Sequence, residues 1–169
     1  MIIIMKEAIE NWHSRLDKVS EQIKIQFGDM TNDELNWKAE PKKWSIAQVL
    51  EHLNMVNASY EKILSEAADS KSDMGFTSRF GFFVKMMGNL IYKSVEPTRA
   101  KKMKTFPVWE PAQSDVSALV LADFMHHQVQ IKALIATNKP LLEKDIVIPS
   151  PANRYIVYKL RQAVEIIVS

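Results

Sequence analysis

The sequence contains no cysteine. Without a thiol, the chain can form neither a disulfide nor a thiolate metal site, and it has no cysteine nucleophile. A fold that depends on a disulfide framework is therefore excluded. The absence of cysteine also fits the reducing cytoplasm, which is the location we predict.

Glycine and proline are scarce, with 4 glycines and 7 prolines in 169 residues. Because these two residue types interrupt regular structure, long stretches without them favour helices. The chain length is typical of one domain, which we assign to residues 1–169. The sequence therefore predicts a single all-α domain.

Long apolar runs and strong charge are also missing. No uninterrupted apolar run approaches the ~18 residues that a membrane-spanning helix needs. The apolar residues Ile2, Ile3 and Ile4 are too few for the core of a signal peptide. A net charge of +2 is too small to indicate a nucleic-acid partner, and we interpret the basic residues 99–104 as a solvated loop. We therefore predict a soluble protein with neither a membrane nor a nucleic-acid partner.

Four amphipathic patterns predict four helices, whose apolar residues recur at steps of three and four. Their predicted bounds are Ile4–Phe27, Ser45–Ser70, Ser114–Thr137, and a last helix that begins near Asn153 or Arg154. The intervening residues 28–43, 71–113 and 138–153 are predicted connections. The last helix has about 16 residues, ~24 Å at the usual rise, and its apolar stripe still continues at Ser169. We therefore expect a truncated last helix.

The segment Phe76–Tyr92 lies in the longest connection and is unusually apolar. Its apolar residues spread over more than half of a helical circumference, which indicates burial on more than one side. Either the rest of the bundle or a second subunit could provide that burial.

The stretch Trp44–Leu53 begins the second helix with several local signals. Ser45 is a favourable N-cap, and Gln48 three residues later completes a capping box. At about 100° per residue, His52 lies roughly 80° from the centre of the apolar face. His52 is therefore predicted at the boundary of the helix, either reaching a groove between helices or half exposed on the surface.

Asp123 and His127 are four residues apart in the third predicted helix, within its apolar face. Side chains at this spacing can meet. A buried Asp–His pair is either a satisfied structural pair or a support behind the ligands of a nearby site. The sequence leaves both interpretations open.

Three stretches resemble one known family. Residues Lys43–Leu53 are similar to the second-helix signature of the DinB/YfiT-like superfamily. Residues Lys102–Pro111 resemble its long loop, and Tyr158–Ser169 resembles the start of its last helix. The resemblance implies a four-helix bundle with an extra helix between the second and third helices. It also implies a divalent metal, nickel or zinc, held by three histidines, of which His52 matches one.

The other two histidines of that family form a His-x-x-x-His motif in the last helix, which would follow Ser169. If this motif and His52 lie at one height, the second and fourth helices are antiparallel. The implied topology is therefore up-down-down-up, with the long crossover between the second and third helices. Because a single histidine does not hold a catalytic metal, we predict no metal or a weak, incomplete site at His52. Asp123, His127 or a neighbouring chain are the candidates to complete it.

Two functions follow from these observations. The resemblance implies a scaffold of metal-dependent hydrolases or thiol transferases, in which the metal activates water or a thiol against a small-molecule substrate. The alternative is a non-catalytic binding module that forms a homodimer through apolar helix faces. In the alternative, Phe76–Tyr92 is the expected contact.

Overall fold

The computed structural model describes residues 2–69, 105–112 and 115–169. These residues are mostly helical, as the composition predicts, with one small antiparallel sheet. In chain order the helices are α1 Ile2–Phe27, α2 Asn32–Asn36, α3 Ile46–Asp69, α4 Val120–Thr137, α5 Lys139–Lys144 and α6 Leu160–Ile167. A 3-10 turn covers Pro107–Trp109, and the sheet pairs β1, Val147–Pro149, with β2, Val157–Lys159. The apolar segment Phe76–Tyr92 lies outside the described residues.

The start of α3 follows the local signals in its sequence. The backbone N–H of Gln48 donates to the Ser45 hydroxyl at 3.1 Å, and the backbone N–H of Ser45 donates to Gln48 Oε1 at 3.1 Å. These two bonds form the predicted capping box and satisfy donors that the first turn cannot satisfy itself. Both side chains are buried, so the cap lies within the protein and not on its surface.

The buried face of α3 differs from the one that its apolar pattern indicates. The spacing of three residues from Ile46 and four from Leu53 predicts Val49 on the buried face, but 43 % of Val49 is exposed. The polar residues Asn54 and Asn57 are buried instead. The Asn54 amide donates to the backbone carbonyl of Val120 at 2.9 Å, so burial is compatible with its polarity. A count of apolar residues misses a face that is partly polar and hydrogen-bonded.

The third long helix begins at Val120 and not at Ser114, which corrects the sequence prediction. Residues 115–117 are not helical. The Asn36 side chain binds both backbone groups of Val116, accepting from its N–H at 2.8 Å and donating to its carbonyl at 3.0 Å. With its backbone groups paired to α2, Val116 does not enter the helical ladder of α4.

The C-terminal connection is more ordered than the sequence predicts. Residues 138–153 contain the short helix α5 and strand β1, and the last helix begins at Leu160 and not near Asn153. Strand β2 takes up the intervening residues because it pairs with β1, with Tyr158 opposite Ile148. The side chains of Ile148 and Tyr158 are both buried, so one face of the hairpin packs into the core.

Among the residues that the structure describes, buried side chains form two clusters. The larger cluster is formed by residues of α1, α3, α4, the hairpin and α6. Its members include Trp12, Tyr60, Ile135, Tyr158 and Ala163. The smaller lies around the start of α3 and α4, with Leu35, Ala47, Leu50, Val116, Val120 and Phe124. Each cluster includes residues of both α3 and α4, so this helix pair connects them.

Three contacts along α3 and α4 give their relative direction. Asn54 binds the Val120 carbonyl, Glu61 contacts His127, and the Leu64 carbonyl accepts from Asn138. Residue numbers increase together along both helices, so α3 and α4 run in the same direction. None of the helices described here combines the length and the apolar character that crossing a membrane requires.

Candidate functional site

His52 lies partly buried on α3, with its Nδ1 2.7 Å from the backbone carbonyl oxygen of Trp109. A carbonyl oxygen only accepts hydrogen bonds, so Nδ1 must carry the proton of this bond. In the neutral imidazole, Nε2 then holds the lone pair. The geometry thus selects one nitrogen of His52 as the atom that can bind a metal or accept a proton.

The imidazole is also held from the side by an aromatic ring. The ring centroids of Trp44 and His52 lie 5.3 Å apart, with the planes tilted by 46°. Trp44 immediately precedes the Ser45 cap of α3, so the local structure that begins the helix also places this ring. The predicted boundary position of His52 agrees with its partial burial.

Trp109 is fixed by three side chains besides its bond to His52. Its indole N–H donates to the Ser59 hydroxyl at 3.2 Å, and its ring stacks on Tyr60 with centroids 6.5 Å apart. Phe106 packs edge-on against it at 5.6 Å. These contacts hold the 3-10 turn against α3 and keep the Trp109 carbonyl in position to receive the His52 N–H.

A buried pair of phenols connects this turn to the C-terminal hairpin. The hydroxyl oxygens of Tyr60 and Tyr158 are 2.7 Å apart. Burial raises the pKa of Tyr158 and raises the pKa of Tyr60 well above its usual value. Both phenols are therefore neutral at physiological pH, and they act as hydrogen-bonding groups and not as bases.

The other two predicted site residues lie on α4, and they do not form the expected pair. His127 Nδ1 lies 2.7 Å from Glu61 Oε1, and 18 % and 20 % of these side chains are exposed. Asp123 is exposed. The parallel packing of α3 and α4 brings Glu61 opposite His127. The imidazole therefore contacts a carboxylate on the neighbouring helix and not that of Asp123, one turn earlier on α4. Sequence spacing alone could not reveal Glu61 as the partner.

Asp123 and His127 line a cleft between α3 and α4, which we call the α3–α4 cleft. Its volume is about 280 Å³, and α3 contributes Glu51, Asn54 and Met55 to its lining. His52 is not part of that lining; its contacts are with Trp44 and the turn that carries Trp109. The structure therefore brings Asp123 and His127 together in one cleft but does not bring His52 to them.

The residues described do not fit a complete metal site. His52 Nε2 is suited to be one ligand, but the described part of the chain contains no group of three or more histidine, aspartate or glutamate side chains that could hold a metal ion. Comparison of the chain with family models, with curated proteins and with solved structures gave no match.

Proposed function

We propose that the chain is a DinB-like helical protein, derived from a scaffold of metal-dependent hydrolases or thiol transferases, in which His52 is one ligand of an incomplete divalent-metal site. The observation that carries the proposal is the bond from His52 Nδ1 to the Trp109 carbonyl. Histidines that bind metals through one nitrogen usually donate the other N–H to a carboxylate or a backbone carbonyl. His52 has this arrangement.

The contacts between the three stretches that resemble the family support the proposal. His52 in the first stretch binds Trp109 in the second. Trp109 stacks on Tyr60, whose hydroxyl meets that of Tyr158 in the third. Three separate similarities in sequence therefore belong to one connected set of side chains in space.

The directions of the helices support an up-down-down-up bundle as part of the same proposal. α3 and α4 run in the same direction, as the resemblance implies for the second and third helices of the bundle. Helix α6 packs on α1, where Glu165 accepts from the Trp12 indole at 2.6 Å and from Arg15 at 2.8 Å. The parallel direction of α3 and α4 is the part of the implied topology that supports the proposal.

The chemistry available to the described residues is limited. In the family that the chain resembles, the metal polarises a water or a thiol. Here the Trp109 carbonyl orients the imidazole, the Trp44 ring packs beside it, and Nε2 of His52 offers one donor. A single imidazole without further ligands binds divalent metals weakly. We therefore expect that these residues do not bind a metal tightly enough for catalysis.

Metal titration of the chain tests the proposal at two levels. Calorimetry with nickel or zinc should show no saturable binding at micromolar metal, whereas a tight one-to-one site would contradict an incomplete one. At millimolar nickel, paramagnetic broadening should affect the imidazole signals of His52 and the backbone amides beside it, and His52→Gln should abolish the broadening of those amides. The exposed residue His126 is the internal control. Broadening confined to His126 would contradict a ligand role for His52.

A non-catalytic homodimer is the second candidate function. Its support is the set of large apolar side chains exposed on the described surface, among them Trp37, Leu119 and Val129. Light scattering at high protein concentration measures the mass directly. A mass twice the 19.4 kDa of the chain supports this alternative, and a mass equal to that of one chain contradicts it.

A further inference from the structure

Residues Phe106–Ala112, which we call the strap, lie against α3 and are held there through their backbone. Gln48 Nε2 donates to the backbone carbonyl of Ala112 at 2.5 Å, and Glu51 accepts from the backbone N–H of Ala112 at 2.7 Å. Both polar backbone groups of this residue are therefore paired with side chains of α3. Bonds of this kind hold a chain by its backbone, whatever side chains it carries.

The strap also supplies the acceptor that orients His52. The Trp109 carbonyl receives the N–H of His52 Nδ1 across 2.7 Å, and the Trp109 indole donates to the Ser59 hydroxyl at 3.2 Å. The proton position of His52 therefore depends on a segment outside the long helices, and not on α3 alone.

The strap buries little of its own surface. Of its seven residues five are exposed, whereas Pro111 is buried and Trp109 is partly buried against the larger core cluster. The bond between Glu51 and Ala112 is exposed to solvent. Segments with few buried apolar contacts and exposed hydrogen bonds open locally at a lower free energy than the core does. We therefore expect the strap to open while the helices stay folded.

The 3-10 turn within the strap depends on docking to α3. In this turn the backbone N–H of Trp109 donates to the Phe106 carbonyl at 2.9 Å. A single turn does not persist in water by itself, because the entropy lost in fixing its backbone exceeds what its few bonds contribute. Loss of the contacts with α3 therefore removes the turn and the acceptor of His52 together.

We propose that the strap is a conformational switch for His52, which opens from α3 as one unit and releases the imidazole when it opens. In the docked form only Nε2 of His52 has a free lone pair, whereas in the open form either nitrogen can carry the proton and the ring loses its fixed direction. Glu51 sets the balance between the two forms as a positioning residue, because it binds Ala112 and acts on His52 through the strap. The inference rests on the proposed function in taking Nε2 as the working atom.

NMR relaxation dispersion tests the proposal, since it detects minor states that form on the microsecond to millisecond timescale. In the metal-free protein, the backbone nitrogen of Trp109 and the imidazole of His52 should give one exchange rate and one minor-state population. The backbone of Leu64, which is buried farther along α3, should show no exchange at that rate. Different rates for Trp109 and His52 would overturn the proposal, because the imidazole would then move independently of the strap.

Two matched variants test the role of Glu51. Glu51→Ala removes the acceptor of the Ala112 N–H and should raise the minor-state population about threefold to tenfold, as expected for loss of one hydrogen bond. Glu51→Gln removes the same charge beside His52 but keeps an oxygen that accepts from Ala112, so the population should stay within about twofold of that in the natural sequence. Equal populations in the two variants, or no exchange in Glu51→Ala, would overturn the proposal. Because no metal is added, failure of the switch is distinct from failure of His52 as a ligand in the nickel titration.

Discussion

The hydroxyl oxygens of Tyr60 and Tyr158 meet at 2.7 Å in the protein core, although 98 residues separate them in the sequence. The contact joins α3 to the C-terminal hairpin. Tyr158→Phe leaves the buried Tyr60 hydroxyl without this partner and should lower the free energy of unfolding by about 1–3 kcal/mol. Urea denaturation measures the change.

Tyr155→Phe is the matched control for this substitution, because 82 % of Tyr155 is exposed. It should change stability by less than about 0.5 kcal/mol. The double variant Tyr60→Phe/Tyr158→Phe removes both hydroxyls and should be more stable than the sum of the two single losses predicts. Additive losses would show that the hydroxyls do not interact.

The same pair of phenols should make stability fall at alkaline pH. Burial raises the pKa of both tyrosines in the folded protein, so the unfolded chain loses these protons first as pH rises. Their contribution is present in full below the unfolded value of about 10 and is lost above it, by up to ~1.4 kcal/mol per pH unit for each tyrosine. Denaturation between pH 8 and pH 11 should therefore show a steeper decline for the natural sequence than for the double Phe variant. Parallel curves would contradict the raised pKa values.

The bond to Trp109 should fix the tautomer of His52. Long-range proton–nitrogen NMR above the ordinary histidine pKa should find Nδ1 protonated and Nε2 bare, because only Nδ1 can donate to the Trp109 carbonyl. Trp109→Gly removes the indole that anchors this turn to Ser59 and Tyr60, and it should shift His52 toward a tautomer mixture like that of the exposed His126. A dominant Nε2–H form in the natural sequence would contradict the assigned geometry.

The contact between Glu61 and His127 should contribute to the packing of α3 on α4. Glu61→Ala leaves a mostly buried imidazole N–H without its carboxylate and should lower the free energy of unfolding by about 1–3 kcal/mol. Glu7→Ala is the matched control, because Glu7 is exposed on α1 and its loss should change stability by less than about 0.5 kcal/mol. If the two variants are equally stable in urea, the pair does not stabilise the helix interface.

The candidate site illustrates what spacing along one chain can and cannot predict. The periodicity of α3 correctly placed His52 at the edge of the helix. It could not indicate that the carbonyl of Trp109, 57 residues away, would select the nitrogen that carries the proton. It could not indicate the partner of His127 for a related reason: a four-residue spacing permits a contact with Asp123, but His127 contacts Glu61 on the neighbouring helix.

Local chemistry by itself determined where α3 begins, because the partners of the Ser45–Gln48 capping box lie three residues apart. The helical class of the described chain likewise follows from the scarcity of glycine and proline and from apolar periodicity. Tertiary structure alone decided the start of α4, because Val116 is held by Asn36 from 80 residues away. It also decided which face of α3 is buried, because Asn54 becomes an acceptable core residue only when the Val120 carbonyl accepts from its amide. Signals within one turn act on the isolated chain, whereas these later choices depend on hydrogen bonds that exist only after distant segments have packed together.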